Sequence, residues 1–461
     1  MKADGYGIND KPPVRELIPF GIQHALLIAF QALPYPFLVA AGLGFDAMQT
    51  AILVSCAFFV AGISTILQTI GIGPVGGKVP IAMTVSVVFV SPALLIAPQV
   101  GYAGYVGACL VGSLICGLVF FAFSDKLRHI FPPFVSGSVV FVLGATLIGV
   151  ALGYCAGGSG NADFGDPINF VLSGITLVTV LFFHVFGKGF LHGAAPLLGL
   201  AVGFVVAVCL GRVDFTPVAE AAWFGFPQPL YFGIEFPIDA CITIGFLAIC
   251  GVAELLGDVS ATTKIAANRM PTKRETRGVI FTQAITSGLS GLFNCGPTIS
   301  ASADVGLLGF TKVCSRYVVA LAGSIMILAG ICPKVSALCS VIPTAVFGGA
   351  VLLMFGVILV NGIKIIMDSY PNDRVVTIVA VSIAIGLGFN AFPEALSQFP
   401  FWVSMFLCGI PGTAFSAVLL NLILPGRKNS MQWEFESEEK EIDLIESADE
   451  ELFEDTSSDH Q

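Results

Sequence analysis

Two carboxylates one helical turn apart, Glu254 and Asp258, are the residues of this sequence best suited to chemistry. They follow an apolar stretch without a charged residue, 240–253. Residues at positions i and i+4 lie on one face of a helix, so both side chains are expected to point the same way. An ionisable group inside an apolar span costs about 2.5 kcal/mol or more and marks a functional site. The pair predicts a polar site within an apolar protein.

The composition identifies the class of protein that must position this pair. Hydrophobic residues make up 56% of the chain and charged residues only 11%, whereas soluble domains carry roughly 25% charged residues. This predicts a polytopic membrane protein. The net charge of −10 is concentrated at one end, because thirteen of the 31 acidic residues lie in residues 431–461. Residues 427–461 are therefore predicted to form a solvated, disordered acidic tail.

Apolar windows of about 20 residues, the length that crosses the hydrocarbon of a bilayer, recur along the chain. The twelve clear windows are 17–41, 48–71, 101–123, 131–155, 167–187, 189–210, 237–257, 278–294, 314–332, 341–366, 374–391 and 398–424. Two further stretches, 79–98 and 297–312, are interrupted by Pro, Gly and small polar residues, and each fits a short extended segment followed by a half-helix. Together they predict an all-α membrane protein of about fourteen crossings.

The basic residues predict the orientation of these crossings. Loops after even-numbered spans hold nearly all Lys and Arg residues, and only Arg212 and Lys334 fall on the opposite side. Since cytoplasmic loops carry an excess of basic residues, both termini are predicted to be cytoplasmic. Residues 1–16 form the cytoplasmic N-terminus in this interpretation.

The two interrupted stretches occupy matching places in two halves of the chain. Pro80 lies 63 residues after Leu17, where the first half starts, and Pro297 lies 60 residues after Pro237, where the second starts. Each half holds seven segments, in residues 17–212 and 237–426, and an extracytoplasmic loop, 213–236, joins the halves. Because seven is an odd number of crossings, the second half has the inverted orientation. Paired interrupted segments indicate a midplane binding site in a secondary transporter. Two proline-kinked helices without a special role are the alternative.

Three other polar residues are candidates for the same site. Asp304 begins the second half-helix, where a negative charge is also favourable as the N-cap or in the first turn of the helix. His24 and Gln31 lie two turns apart in the first span and predict an inward polar stripe, although a lone His in an apolar helix often serves only as an interhelical donor. Asp258 is equally compatible with an interfacial position. A phosphate-binding loop of the Walker type is not present in the sequence, which argues against an ATP-driven pump.

Several stretches together resemble the nucleobase–ascorbate transporter family, also called nucleobase–cation symporters. They are GIQHALLIAFQALPYP in the first span, PIAMTVSVVFVSP in the first interrupted stretch, and AELLGDVSATTKIA and ADVGLLGFTKVCSR in the second half. Their order and spacing resemble the family over about residues 15–426.

The resemblance implies a uracil-transporter-like fold with two domains. Spans 1–4 and 8–11 would form a core, spans 5–7 and 12–14 a gate, and the solute site would lie between the interrupted segments. Members of the family import nucleobases with a proton, or sometimes sodium, and usually form dimers. The resemblance therefore implies a nucleobase substrate, a lipid bilayer and a second copy as partners, and neither a nucleic acid, a metal nor a cofactor.

The family's functional positions can be carried over to four residues. Glu254 matches the substrate-binding carboxylate, and Asp258 matches a polar position linked to proton coupling. His24 matches the histidine of the family's QH motif. Val87 stands where a Phe usually contacts the base through its backbone.

Elsewhere the sequence departs from the family's pattern. The signature of the tenth segment usually begins with Gln, Glu or Pro followed by Asn, and here those places hold Ala303 and Asp304. Gly306 and Thr311 keep the remainder of the signature. Gln283 stands where many purine carriers have an Asp. The site has lost a side-chain partner at position 303 and gained a carboxylate at position 304.

The sequence thus predicts a multi-pass cell-membrane symporter and not an enzyme, with xanthine, uric acid or a related purine as substrate. The loop VDFTPVAEAAWFGFPQP resembles those of the family's purine carriers more than those of its uracil carriers, which implies a purine substrate. Two alternatives remain open, a uracil or pyrimidine permease and an anion carrier on the same architecture.

Overall fold

The structure, a computed structural model, describes residues 5–127, 132–158, 161, 163–187, 190–369 and 372–425. The acidic tail predicted at 427–461 lies outside the described residues.

Helices make up most of the first half of the chain. They are α1 Val14–Ala32, α2 Pro34–Leu43, α3 Ala47–Ile70, α4 Val90–Leu127, α5 Pro133–Cys155, α6 Pro167–Phe186, α7 Phe190–Gly193 and α8 Ala195–Cys209. A short strand, β1 (Met83–Val85), and a 3₁₀ turn (Val87–Phe89) precede α4.

The second half follows the same plan after a linking segment. Its helices are α9 Thr216–Glu220, α10 Ile238–Ala267, α11 Lys273–Leu292, α12 Ser302–Thr311, α13 Arg316–Ile331, α14 Pro333–Ser340, α15 Thr344–Asp368, α16 Asp373–Ala391, α17 Phe401–Leu407 and α18 Gly409–Ile423. The second strand, β2 (Thr298–Ser300), precedes α12 as β1 precedes α4.

The helices agree with the predicted spans in large part. The predicted spans 189–210 and 398–424 are each divided, into α7 and α8 and into α17 and α18, and α14 lies between two predicted spans. α10 continues to Ala267, ten residues past its predicted end at 257, so Asp258 lies in the middle of a helix. The first span breaks at Leu33 into α1 and α2. The predicted segments 79–98 and 101–123 share the single helix α4, in which Gly101 has a left-handed φ of 76° that breaks the regular helix.

Eight helices within the described part of the chain are long and apolar enough to cross a membrane. A ninth crossing is reached if α13 and α14, which meet at 81°, are taken as one bent span. Two shorter apolar helices, α8 and α18, accompany them. The chain is a multi-pass membrane protein, and the count of fourteen crossings stays a prediction.

The helices pack in two groups, and each group takes members from both halves. In one group α3 packs on α13, and α4 packs on α10 and α11. In the other, α5 packs on α15 and α18, and α6 packs on α8 and α15. The first group contains both strands and α12.

The two interrupted stretches meet as a two-stranded antiparallel sheet, which the all-α prediction did not include. Met83 pairs with Ser300, and Val85 pairs with Thr298. Two further backbone hydrogen bonds, each of 2.9 Å, flank the paired residues, one at each end of the sheet. The Ser86 N–H donates to the Pro297 carbonyl, and the Ala301 N–H donates to the Ala82 carbonyl. The two strands are thus related by an approximate two-fold axis.

A hydroxyl group supports the outer edge of each strand. On α3, Thr65 Oγ1 accepts from the Met83 N–H at 2.9 Å and donates to the Met83 carbonyl at 3.3 Å. On α11, Ser287 Oγ accepts from the Thr298 N–H at 3.0 Å and donates to the Thr298 carbonyl at 3.4 Å. Extended backbone at membrane depth must find such partners, because water is not available there.

Candidate functional site

The strand pair brings two helix N-termini to one place in the protein. β1 leads through the 3₁₀ turn into α4, and β2 leads directly into α12. The first N–H groups of a helix have no partner within the helix and carry a partial positive charge. α10 packs against β2 and α12, and α1 packs against β1 and α12. Polar side chains from α1 and α10 therefore meet the start of α12.

Asp258 connects α10 to the second interrupted stretch. Its Oδ2 accepts hydrogen bonds from Ser300 Oγ at 2.5 Å and from Ser302 Oγ at 2.7 Å. The carboxylate is partly buried, in the middle of α10. Asp258 is therefore not at a helix end, and its carboxylate braces the segment between β2 and α12. Its depth in the membrane stays a prediction. Ser300 and Ser302 were not among the predicted site residues, although small hydroxyl residues in an interrupted stretch are a usable signal.

His24 and Asp304 form a buried pair that joins α1 to α12. His24 Nδ1 and Asp304 Oδ1 lie 2.6 Å apart and share a hydrogen bond, and the two side chains are 0% and 1% exposed. The other polar atom of each group, His24 Nε2 and Asp304 Oδ2, is buried without a hydrogen-bond partner among the described residues. The N-cap of α12 is Ala301 and Asp304 lies in the first turn, so of the two predicted structural roles Asp304 has the one in the first turn.

This pairing specifies how position 304 can act on a bound solute. A buried charge needs a partner with good geometry, and His24 supplies one. Asp304 therefore fixes the first turn of α12 to α1, and direct contact between its side chain and a substrate stays a prediction. The interhelical role that a lone His often has is the role the structure gives to His24.

Glu254 lies one turn before Asp258 and has no hydrogen bond to another described residue. Its side chain is partly buried. Gly257 of α10 and Gly306 of α12 both border open space, because a methyl group placed on either would meet no atom within 4 Å. Ala303 is exposed on the same end of α12. Glu254 is thus a carboxyl group without a hydrogen bond to another described residue, on the helix that contacts the first turn of α12.

Gln31 reaches the same helix end from α1. The Ala303 N–H donates to Gln31 Oε1 at 3.4 Å, and Gln31 Nε2 donates to the Leu27 carbonyl at 3.4 Å. The polar stripe predicted from His24 and Gln31 therefore faces α12. Both members contact its first turn.

The remaining predicted residues lie in or beside the two interrupted stretches. Val87 begins the 3₁₀ turn and is partly buried, and its backbone contact with a base stays a prediction. Gln283 is buried behind β2, where its Nε2 donates to the Thr298 carbonyl at 3.1 Å. Thr311 lies in the last turn of α12 and donates to the Leu307 carbonyl at 2.9 Å. Gln283 and Thr311 thus support the two ends of the second interrupted stretch.

The order of interrupted stretches, carboxylates and paired strands agrees with one family of membrane carriers, and the sequence model of that family matches residues 15–395. The chain belongs to the Permease family. This confirms the resemblance drawn from the motifs, and it identifies the chain as a transport protein and not an enzyme.

Several relatives align over nearly their whole length. A putative purine permease of Clostridium perfringens (strain 13 / Type A) is 35% identical over 93% of this chain and 95% of its own. The uric acid permease PucK of Bacillus subtilis (strain 168) is 35% identical over 83% of this chain and 89% of its own. The xanthine permease of the same organism is 32% identical over 88% of this chain and 93% of its own.

Solved structures with the same fold are more distant in sequence. The transmembrane domain of a cyanobacterium bicarbonate transporter, BicA, matches with a TM-score of 0.54 at 16% identity, over 90% of this chain and 99% of that one. The murine anion transporter Solute Carrier 26 family member A9, in its inward-facing state, matches with a TM-score of 0.59 at 13% identity. The match covers 90% of this chain and 69% of that one. At these identities the likeness shows the fold alone.

Proposed function

We propose that this protein is a secondary active transporter that imports a nucleobase, xanthine, uric acid or a related purine, together with a proton. The observation that carries the proposal is Glu254, a carboxyl group without a hydrogen bond to another residue in the described ranges, on the helix that packs against α12. The permeases of purines, xanthine and uric acid among its relatives support the substrate class.

The chemistry of the site suits an oxidised purine. Such a base carries N–H donors and carbonyl acceptors along its edge. Glu254 can accept from the N–H groups, and the free N–H groups at the start of α12 can donate to a carbonyl oxygen. Ala303 has only a methyl side chain, so Glu254 provides most of the side-chain recognition in this proposal.

The same carboxyl group provides a means of proton coupling. Burial in an apolar protein favours the neutral, protonated form of a carboxylic acid. A proton taken up by Glu254 or Asp258 on one side and released on the other would couple the proton gradient to solute movement. Sodium is the alternative coupling ion, and Asp258 with its two serine hydroxyls is the polar cluster next to Glu254.

The proposed mechanism requires two bodies that move against each other. We assign the group that contains both strands and α12 to a core, and the group around α5 and α15 to a gate, in two inverted sets of seven segments. The two-fold hydrogen bonds between β1 and β2 support the inverted arrangement. A dimer, and cytoplasmic positions for both termini, belong to the same proposal.

An anion carrier is the second candidate, and it is favoured only by the fold of the bicarbonate and anion transporters. Such a carrier needs a positive site, whereas α10 presents two carboxyl groups next to α12. A uracil or pyrimidine permease would use the same groups, and only the identity of the base would differ.

Uptake of labelled xanthine into cells that express the chain tests the proposal. We expect unlabelled xanthine and uric acid to compete strongly and uracil weakly, and a protonophore to abolish accumulation while replacement of sodium does not. If no base is taken up but chloride or sulfate flux appears in proteoliposomes, the anion carrier is the correct function.

Asp258→Ala is expected to lower the initial uptake rate about tenfold, because two hydroxyl groups lose a charged acceptor. Asp258→Asn keeps one acceptor oxygen and should lose less, and Ser302→Ala removes only one of the two bonds. Ser260→Ala on the same helix is the control, since its hydroxyl bonds only the Leu256 carbonyl one turn earlier. Rates are compared per amount of protein in the membrane. Equal rates for all four variants would contradict the bracing role of Asp258.

A further inference from the structure

The N-terminal segment lies along the linker that follows α12, and we call residues 5–10 the N-terminal strap. Its hydrogen bonds run from end to end of the linker. The Tyr6 N–H donates to the Lys312 carbonyl at 2.9 Å, the Cys314 N–H to the Tyr6 carbonyl at 2.8 Å, the Arg316 N–H to the Ile8 carbonyl at 3.1 Å, and Ser315 Oγ to the Asp10 carbonyl at 2.6 Å. The strap thus adds an extended segment to the linker.

A small hydrophobic cluster, separate from the main core, holds the strap in place. Tyr6 is buried against Val313 and Val318, and Leu17 and Phe20 of α1 pack on this cluster. The strap therefore packs as part of the folded protein, with apolar contacts as well as hydrogen bonds.

α12 needs support of this kind, because its own sequence supplies little. Helices shorter than about 12–15 residues are marginal in isolation, and α12 has ten. Its N-cap, Ala301, makes no side-chain capping bond. Its C-cap, Lys312, has a left-handed φ of 56°, which is unfavourable for a residue other than Gly. The Tyr6 N–H binds the carbonyl of this C-cap residue and so provides the missing external partner.

The same stretch of chain holds the other end of α12. α1 starts four residues after the strap, and its His24 pairs with Asp304 in the first turn of α12. The strap binds the end of α12, and His24 binds its beginning. A single continuous segment, residues 5–24, therefore contacts both ends of the half-helix that borders Glu254.

We propose that the N-terminal strap positions α12 and thereby sets the affinity of the transport site. Its residues act through Lys312 and α12 and need not touch a solute. The part that concerns affinity rests on the proposed function, whereas the positioning of α12 can be measured without any substrate.

Gly5 allows the strap to be displaced by one methyl group. Its φ is 74°, and a Cβ at this residue would lie 2.2 Å from the Lys312 carbonyl oxygen. Gly7 is the matched control in the same segment, since its nearest atom to a new Cβ is Asp10 Oδ2 at 4.0 Å. Gly5→Ala and Gly7→Ala thus make the same chemical change, and only the first disrupts the strap. A chain that starts at residue 11 is a second disrupting variant.

Amide hydrogen exchange of the purified full-length variants is the first measurement. We expect the amides of residues 302–316 to exchange at least about fivefold faster in Gly5→Ala than in the parent. Those of α16 should be unchanged, and Gly7→Ala should match the parent throughout. Unchanged exchange in both Gly5→Ala and the shortened chain would overturn the positioning of α12. Faster exchange over the whole protein in both would also overturn it, since the effect would be global unfolding.

Transport is the second measurement. We expect the KM for xanthine to rise severalfold in Gly5→Ala at equal abundance in the membrane, with the parent value in Gly7→Ala. Faster exchange in α12 with an unchanged KM would overturn the link to affinity. If the parent takes up no nucleobase, the proposed function fails, and the exchange data alone still decide whether the strap positions α12.

Discussion

Replacing Glu254 with Gln is expected to abolish nucleobase uptake while the protein remains in the membrane. The amide keeps the size of the side chain but loses the charge, one acceptor oxygen and the ability to carry a proton. A hydrogen bond to a charged group contributes roughly 1.5–3 kcal/mol, which corresponds to a loss of affinity of about ten- to a hundredfold. Loss of proton transfer at the same position should remove the remaining accumulation. Initial rates of labelled xanthine uptake, corrected for abundance, provide the measurement.

Asp239→Asn is the matched control for this substitution. Asp239 lies in the first turn of the same helix and is exposed, and about 1.5 Å of rise per residue places it roughly 22 Å from Glu254. Its uptake should equal that of the parent. Glu254→Asp should retain partial activity, because the carboxylate is kept on a shorter side chain. Normal accumulation in Glu254→Gln would exclude the mechanism proposed for this carboxyl group.

The double substitution Ala303→Gln with Asp304→Asn is expected to change both base selectivity and the pH dependence of uptake. The new amide at position 303 lies on an exposed part of the first turn of α12 and gives the site a hydrogen-bonding side chain. One such bond contributes about 1 kcal/mol, so the ratio of affinities for two bases should change about fivefold. Competition by xanthine, uric acid and uracil, measured at several pH values, shows the change.

The single substitutions separate the two effects. Ala303→Gln alone should change selectivity. Asp304→Asn alone should change pH dependence, because it leaves His24 buried beside a neutral amide in place of a carboxylate. His24→Gln tests the same pair from α1 and should change pH dependence in a similar way. If selectivity and pH dependence are the same in the parent and the double variant, the departure at positions 303 and 304 has no functional effect.

The sequence predicted most of the helices because the bilayer imposes a length on each apolar window. It placed the end of α10 wrongly for the same reason. Hydropathy shows where a segment leaves the hydrocarbon, whereas the helix continues through the polar residues that follow and ends at Ala267. Asp258 looked interfacial from its position near the end of the window. Its bonds to Ser300 and Ser302 depend on a segment more than forty residues away.

The sequence by itself determined that this is a multi-pass transport protein with two interrupted segments and a carboxylate pair on one helix face. Spacing and composition are properties of short stretches of the chain, and the length and hydropathy of a membrane span depend only on such a stretch. Only the tertiary structure decided the partners of the polar residues. It paired His24 with Asp304, joined β1 to β2 and placed Ser300 and Ser302 on Asp258. Each of those contacts joins distant parts of the chain, so their geometry is set by how the helices pack.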